Sequence, residues 1–191
     1  MYLLLVPTKQ ILAIDYVHTV LSEYEAFNAQ SQIQRPNQTI IDKKTGGKRP
    51  MTSDVPDLVS VHGKLKAASH VADGALLTVN YRSGPPFPGT TPLVWTMTGE
   101  KGRIRVSNER GPYLQAIAAA LPTPIELETF ASGEVKQIDW EWEDWQQDLA
   151  PNARGIAKLY DLLYEGRTAE WGMADFASAV ERHKEIDSVV Q

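Results

Sequence analysis

The chain has 191 residues, 42% hydrophobic and 23% charged, enough apolar content for a packed core and too much for a disordered chain. Nineteen basic against twenty-four acidic side chains leave a formal charge of -5, which argues against the broad basic surface that a phosphate backbone requires and so against nucleic acid as a partner. The lack of cysteine excludes a disulfide scaffold, a thiolate nucleophile and a cysteine-ligated zinc or iron–sulfur site within these residues. The longest apolar run, Leu3 to Val6 behind Met1 and Tyr2, is far short of the roughly 20 residues that span a bilayer, so the expectation is a cytoplasmic single domain over 1–191 with no membrane contact.

Ile11, Ile14, Val17, Leu21 and Tyr24 recur at three- and four-residue steps and predict a helix over 11–27 with one buried stripe. Ala29, Ser31 and Ile33 then alternate with glutamines, Arg35-Pro36 breaks that run, Thr39-Ile40-Ile41 resumes it as a short strand, and Lys43 to Pro56, rich in lysine, glycine and proline, reads as a solvated loop. From Asp57 the period becomes two. In Leu58 to Leu65 the residues Val59, Val61 and Leu65 share one face, and Ser60, His62 and Lys64 the other. After a turn at Asp73-Gly74, Leu77, Val79 and Tyr81 share one face of a strand over 75–82, with Leu76, Thr78, Asn80 and Arg82 opposite.

The loop Ser83-Gly84-Pro85-Pro86-Phe87-Pro88-Gly89 follows, and Leu93 to Thr98 and Arg103 to Ser107 flank a hairpin turn at Gly99 to Gly102. Ile125 to Phe130 and Val135 to Glu143 read as further strands, the tryptophans Trp140, Trp142 and Trp145 packing from an edge strand that exposes its acids. Asn152 is expected to cap a helix to about Glu165, with Ile156, Leu159, Leu162 and Leu163 inward and Gly166 as its stop. A last helix is expected over about 173–190, with Phe176, Val180, Ile186 and Val190 buried. Helix, run of strands, then helices predicts an α+β domain: an open, mostly antiparallel sheet with helices packed on one face.

The other face of that sheet carries Ser60, His62, Lys64, Thr78, Asn80, Arg82, Thr96, Arg103 and Arg105, with Leu76 and Val94 among them. Three readings fit such a face: a solvated surface, a subunit interface, or the floor of a pocket in which His62 supplies a base and Asn80 and Arg82 stabilise negative charge. No nucleotide fingerprint is present, neither G-x-G-x-x-G nor G-x-x-x-x-G-K nor G-x-S-x-G. The four histidines show no metal-ligand spacing, so no metal is expected. Asp15 and His18, three apart on the first helix, read as a surface pair before they read as an acid–base dyad.

Several segments in order resemble the C-terminal domain of the Gfo/Idh/MocA oxidoreductases, in particular the fungal galactose-repressor-like branch. They are Ile14-Asp15, Gln34-Arg35-Pro36, Asp57-Leu58-Val59-Ser60-Val61-His62-Gly63, Tyr81-Arg82 with the glycine-proline loop to Gly89, and Trp95-Thr96-Met97-Thr98-Gly99-Glu100-Lys101-Gly102-Arg103-Ile104-Arg105-Val106. Asn152 to Gly166 and Phe176 to Ile186 resemble the two closing helices, so the likeness covers about 11–190. The resemblance implies an open sheet whose bare face meets a second subunit or a substrate, and hence a homodimer through that face. It also implies an N-terminal Rossmann domain that binds nicotinamide and supplies a lysine, neither of which these residues contain. Where the family places a G-H-x-x-D pattern before the first helix, Ile11 and Leu12 stand at the glycine and histidine positions if Asp15 is the aspartate.

These readings combine into an expectation of a cofactor-free enzyme that isomerises, dehydrates or cyclises a small organic substrate, in a fungal biosynthetic setting. His62, Asn80 and Arg82 are the candidate catalytic residues, and Tyr81, Phe87, Trp95, Arg103 and Arg105 the candidate substrate-binding ones. The alternatives are a non-catalytic binding or regulatory module, and a subunit that docks on a separate Rossmann oxidoreductase.

Overall fold

The computed structural model describes residues 7–112, 123–167, 173 and 175–190, with side chains between 14 and 189. It is α+β with antiparallel strand pairings, as expected, and among the described residues its strands pair as three hydrogen-bonded sheets where one was expected. The chain divides into two compact units, Met1–Gly84 with Ala174–Gln191, and Pro85–Met173. None of the described helices is long and apolar enough to cross a membrane.

In the first unit, α1 (Pro7–Val20) ends before Tyr24, and Tyr24–Gln32 forms β1, which pairs with β4 (Leu58–Leu65). The expected helix to Phe27 is therefore corrected. A bulge between Tyr24 and Ala26 shifts the register by one residue, and it lets Tyr24 and Phe27, three apart, both turn toward the core. Their rings lie 5.2 Å apart. An apolar spacing of three is thus ambiguous between a helix and a bulged strand, and pairing with β4 decides it. Gly63 opposes Phe27, where any side chain would meet the Phe27 Cβ and the Ala26 carbonyl at less than 3 Å, so the close approach needs glycine.

β2 (Asn37–Ile41) pairs with β3 (Lys48–Thr52), a strand inside the segment expected to be loop. Lys48, Arg49 and Pro50 suit a solvated edge, and hide it from a pattern search. β5 (Leu76–Arg82) completes the order β1-β4-β5. Val59, Val61, Leu65 and Leu77 are buried on the helix-facing side, as their alternation requires. α4 (Phe176–Val190) packs on β1 and α1 through Ile186, which is buried, whereas Phe176 and Val180 are exposed. Asp175 opens it by accepting the Ser178 N–H at 2.7 Å. The side chains of Ile11 and Val190, also expected to face inward, lie outside the described residues.

In the second unit, β6 (Leu93–Thr98), β7 (Gly102–Asn108), β8 (Ile125–Thr129) and β9 (Glu134–Gln137) follow one another across a four-stranded sheet. β9 stops at Gln137, so the tryptophan-acid segment is no edge strand. Trp140 and Trp142 meet edge-to-face at 5.4 Å beyond it, and Trp145 lies in the short α2 (Asp144–Gln147), its indole N–H bonded to Glu143. α3 (Pro151–Tyr164) starts one residue before Asn152, with Ala150 in the cap position and Pro151 first, where a missing N–H costs nothing. Only Leu162 of its expected inward residues is buried; Ile156, Leu159 and Leu163 are exposed. Gly166, at φ +70°, ends the helix as expected.

Candidate functional site

The register builds a polar face on the first sheet. Asn28, His62 and Thr78 form one cross-strand row, Gln30, Ser60 and Asn80 the next, and Gln32, Leu58 and Arg82 a third. Ser60 and Asn80 are tied by a bond from the Ser60 hydroxyl to the Asn80 side-chain oxygen at 2.8 Å. The His62 ring is exposed and makes no hydrogen bond among the described residues. At ~3.3 Å per residue, Arg82 lies about 13 Å along β5 from the His62 row, with Asn80 halfway, so the three could act together only on an elongated ligand. Asn28 and Gln30 belong to this face; the alternation of Ala29, Ser31 and Ile33 with glutamines falls on the second half of β1, but the helix expected to Phe27 hid where the strand begins.

The other expected members are elsewhere. Tyr81 pairs with Val59 on the opposite, core-facing side, half-buried. Phe87 is 78% exposed in the glycine-proline loop, and Trp95 is half-buried opposite Val106 in the second sheet. Arg103 and Arg105 lie on a face of that second sheet, so the single polar face expected is two faces on two sheets. Arg105 makes a two-pronged bond to Glu126 at 2.8 and 2.9 Å, and Arg103 bonds Glu128 at 2.7 Å while its guanidinium lies 5.6 Å from the Phe130 ring centre. The Arg105 bond holds the Glu126 carboxyl below its ordinary range. Both arginines already have carboxylate partners, which leaves less of their charge for an anionic ligand.

The start of the glycine-proline loop is anchored by a clasp at the end of the first sheet. Asp57, almost fully buried, accepts the Gln34 N–H at 2.6 Å and the Arg35 Nε–H at 2.9 Å, and Arg35 also donates to the Ser83 carbonyl. The Gln34 bond first, with Arg35 helping, outweighs burial and holds the Asp57 carboxyl below its usual range. The motif Gln34-Arg35-Pro36 is therefore explained by structure.

A second polar cluster was not legible in the sequence. His18 is buried where a surface pair was expected: Nδ1 donates to the Ser22 carbonyl at 2.6 Å, Nε2 faces a Glu185 carboxylate oxygen at 3.0 Å, and Tyr24 stands edge-on at 5.0 Å. Asp15 turns instead to Arg182, 3.5 Å away, which also grips Glu23 with bonds of 2.7 and 3.1 Å and Glu185 with a third. Burial pushes the Glu23 carboxyl up, but the Arg182 bond and the charges of His18, Arg182 and Lys66 outweigh it and hold it below its usual range. Burial raises the hydroxyl of Tyr16 to about 12. His18, Glu23 and Glu185 could converge on a metal ion, but the Arg182 guanidinium already bonds both carboxylates, and a cation would have to displace it.

The family model for the Gal80p C-terminal domain matches residues 5–108. The chain belongs to this Gal80p C-terminal-domain-like family. It is similar to the dehydrogenase aclE of Aspergillus oryzae, 25% identical over 180 residues that cover 93% of this chain and 43% of that protein. Its fold is similar to the crystal structure of the transcriptional regulator Gal80p from Kluyveromyces lactis, with a TM-score of 0.61 and 16% identity over 92% of this chain and 40% of the other. The chain thus spans about two fifths of the length of these relatives and is a C-terminal domain of the Gfo/Idh/MocA oxidoreductase type. Among its residues no glycine-rich turn of the G-x-G-x-x-G kind is available to hold a dinucleotide.

Proposed function

We propose that this domain binds a small, elongated organic molecule on the polar face of β1, β4 and β5 and isomerises, dehydrates or cyclises it without nicotinamide. The observation that supports this most is the His62 row beside the Ser60–Asn80 pair: an exposed imidazole that bonds nothing among the described residues, flanked by hydrogen-bonding groups fixed in register. In this reading His62 takes a proton from a carbon next to a carbonyl and returns it at another position, Asn80 orients the substrate, and Arg82 offsets charge at its far end. Protons balance and no redox partner is needed. The homodimer implied by the resemblance is proposed with it, since Leu76, 80% exposed on this face, is apolar surface that a second copy could cover.

The test is metabolite profiling of a strain deleted for the protein and complemented with wild type or His62→Ala. Restoration of the missing product by wild type alone supports the reading, and equal restoration by a folded His62→Ala overturns it. A second reading, a non-catalytic regulatory module or a subunit docking on a separate Rossmann oxidoreductase, draws support from the exposed apolar flank of α3, where Ile156, Leu159, Tyr160 and Leu163 lie one helical turn apart. Micromolar nicotinamide binding by this chain alone, measured by calorimetry, would contradict the cofactor-free form of the first.

A further inference from the structure

The loop from Ser83 to Gly89 holds three prolines in seven residues, and the proposed chemistry uses none of it. Proline fixes φ near −65°, and a residue that precedes proline is pushed to an extended ψ. In the order Pro85-Pro86-Phe87-Pro88, Pro85 is subject to both constraints, Pro86 to the first and Phe87 to the second. Those constraints select polyproline II, the extended helix with three residues per turn and no internal hydrogen bonds, and residues 85–87 accordingly lie in neither helix nor strand.

Both ends of the run are held. Before it, Arg35 donates to the Ser83 carbonyl and the Ser83 N–H to the Asp57 carbonyl at 2.8 Å. After it, the Thr90 N–H donates to the Phe87 carbonyl at 2.9 Å and closes a turn with Pro88 and Gly89 at its centre. With Gly89 at φ +82° this is the arrangement of a type II turn, whose first central residue keeps extended dihedrals, so Pro88 continues the run. Residues 84–90 are all exposed, Phe87 by 78%. Pro85, Pro86, Phe87 and Pro88 thus offer contiguous apolar surface, which marks an interaction site in a way that scattered exposed residues do not.

We propose that Pro85 to Pro88 is a docking segment for a partner protein that carries an aromatic-lined groove for proline-rich chains, a domain of the SH3 or WW kind. At three residues per turn and ~3.1 Å per residue, Pro85 and Pro88 lie on one edge of the helix about 9 Å apart, the P-x-x-P spacing that such grooves take. Other occupants fit the segment less well. A partner strand would find three of the four residues without an N–H to donate, and a charged partner would find no charge from Ser83 to Pro92. Anchored ends and proline rings leave little freedom to lose, so the segment is ordered before it binds. The proposal is independent of catalysis on the polar face.

Titration of the full chain against a panel of purified SH3 and WW domains by calorimetry should show binding to at least one, and the same domain with its groove tryptophan changed to alanine should not bind. Pro85→Ala with Pro88→Ala should weaken that binding at least ~tenfold while the circular dichroism spectrum stays that of wild type, since both positions are exposed. Amide shifts of wild type supply a readout that needs no variant: on addition of the domain those of Gly84, Phe87, Gly89 and Thr90 should move, and those of β4 should not. No binding tighter than ~1 mM across the panel, binding that the two alanines leave unchanged, or shifts confined to the α3 flank or the polar face would each overturn the proposal.

Discussion

The junction of α1, β1 and α4 and the open face of β4 and β5 use the same kinds of side chain in opposite ways. Each has one histidine among oxygen-bearing neighbours. At the junction His18 and Arg182 are buried, and the bonds of the imidazole and of the two terminal guanidinium nitrogens go to Ser22, Glu23 and Glu185, residues brought from opposite ends of the chain, while Arg182 Nε has only the Asp15 carboxylate 3.5 Å away. On the face His62 is exposed and bonds nothing among the described residues, while Asn80 bonds only its neighbour across the sheet. Groups whose bonds are made within the fold serve stability, whereas groups left to solvent on a rigid sheet can serve a ligand.

The largest effect should follow from breaking the junction. Arg182→Ala leaves the carboxylates of Glu23 and Glu185 without their cation, and is expected to cost about 3 kcal/mol in urea denaturation. Acid should act in the same direction. A carboxyl held low in the folded state contributes stability that is present above its unfolded range and lost as pH falls through its folded value. Glu23 and Asp57 both lie low, so stability should fall below the ordinary carboxylate range, and Arg182→Ala should flatten the share due to Glu23.

His18→Ala removes the bonds to Ser22 and Glu185 and opens space beside Tyr24, and a loss of about 2 kcal/mol is expected by the same measurement. The smallest change in stability should come from the face: His62→Ala is expected to stay within about 0.5 kcal/mol of wild type, as exposed substitutions do. Its effect should appear in turnover, reduced at least ~100-fold if the imidazole carries the proton. A His62 variant that unfolds, or an Arg182 variant as stable as wild type, would remove the distinction between the two regions.

The sequence made the middle of the chain legible. β4 and β5 alternate cleanly because one side faces the helices and the other water, and β6 and β7 are joined by the turn that Gly99 and Gly102 announce. Illegible were features set by distant partners. Tyr24 and Phe27 fit a helix until β4 supplies a strand to pair with, and His18 looks like a surface residue until Glu185, 167 positions away, closes over it. The candidate site was readable in part for the same reason. His62, Asn80 and Arg82 share a face by local alternation, whereas Arg103 and Arg105 alternate equally well on another sheet, and no local pattern could say that their charges are met by Glu128 and Glu126.

The most direct test compares product formation by wild type, His18→Ala and His62→Ala, each normalised to the folded fraction, in extracts of the deleted strain. The account predicts that His18→Ala, though less stable, turns over as wild type does per folded molecule, while His62→Ala folds fully and forms almost no product. Full turnover by His62→Ala would contradict it.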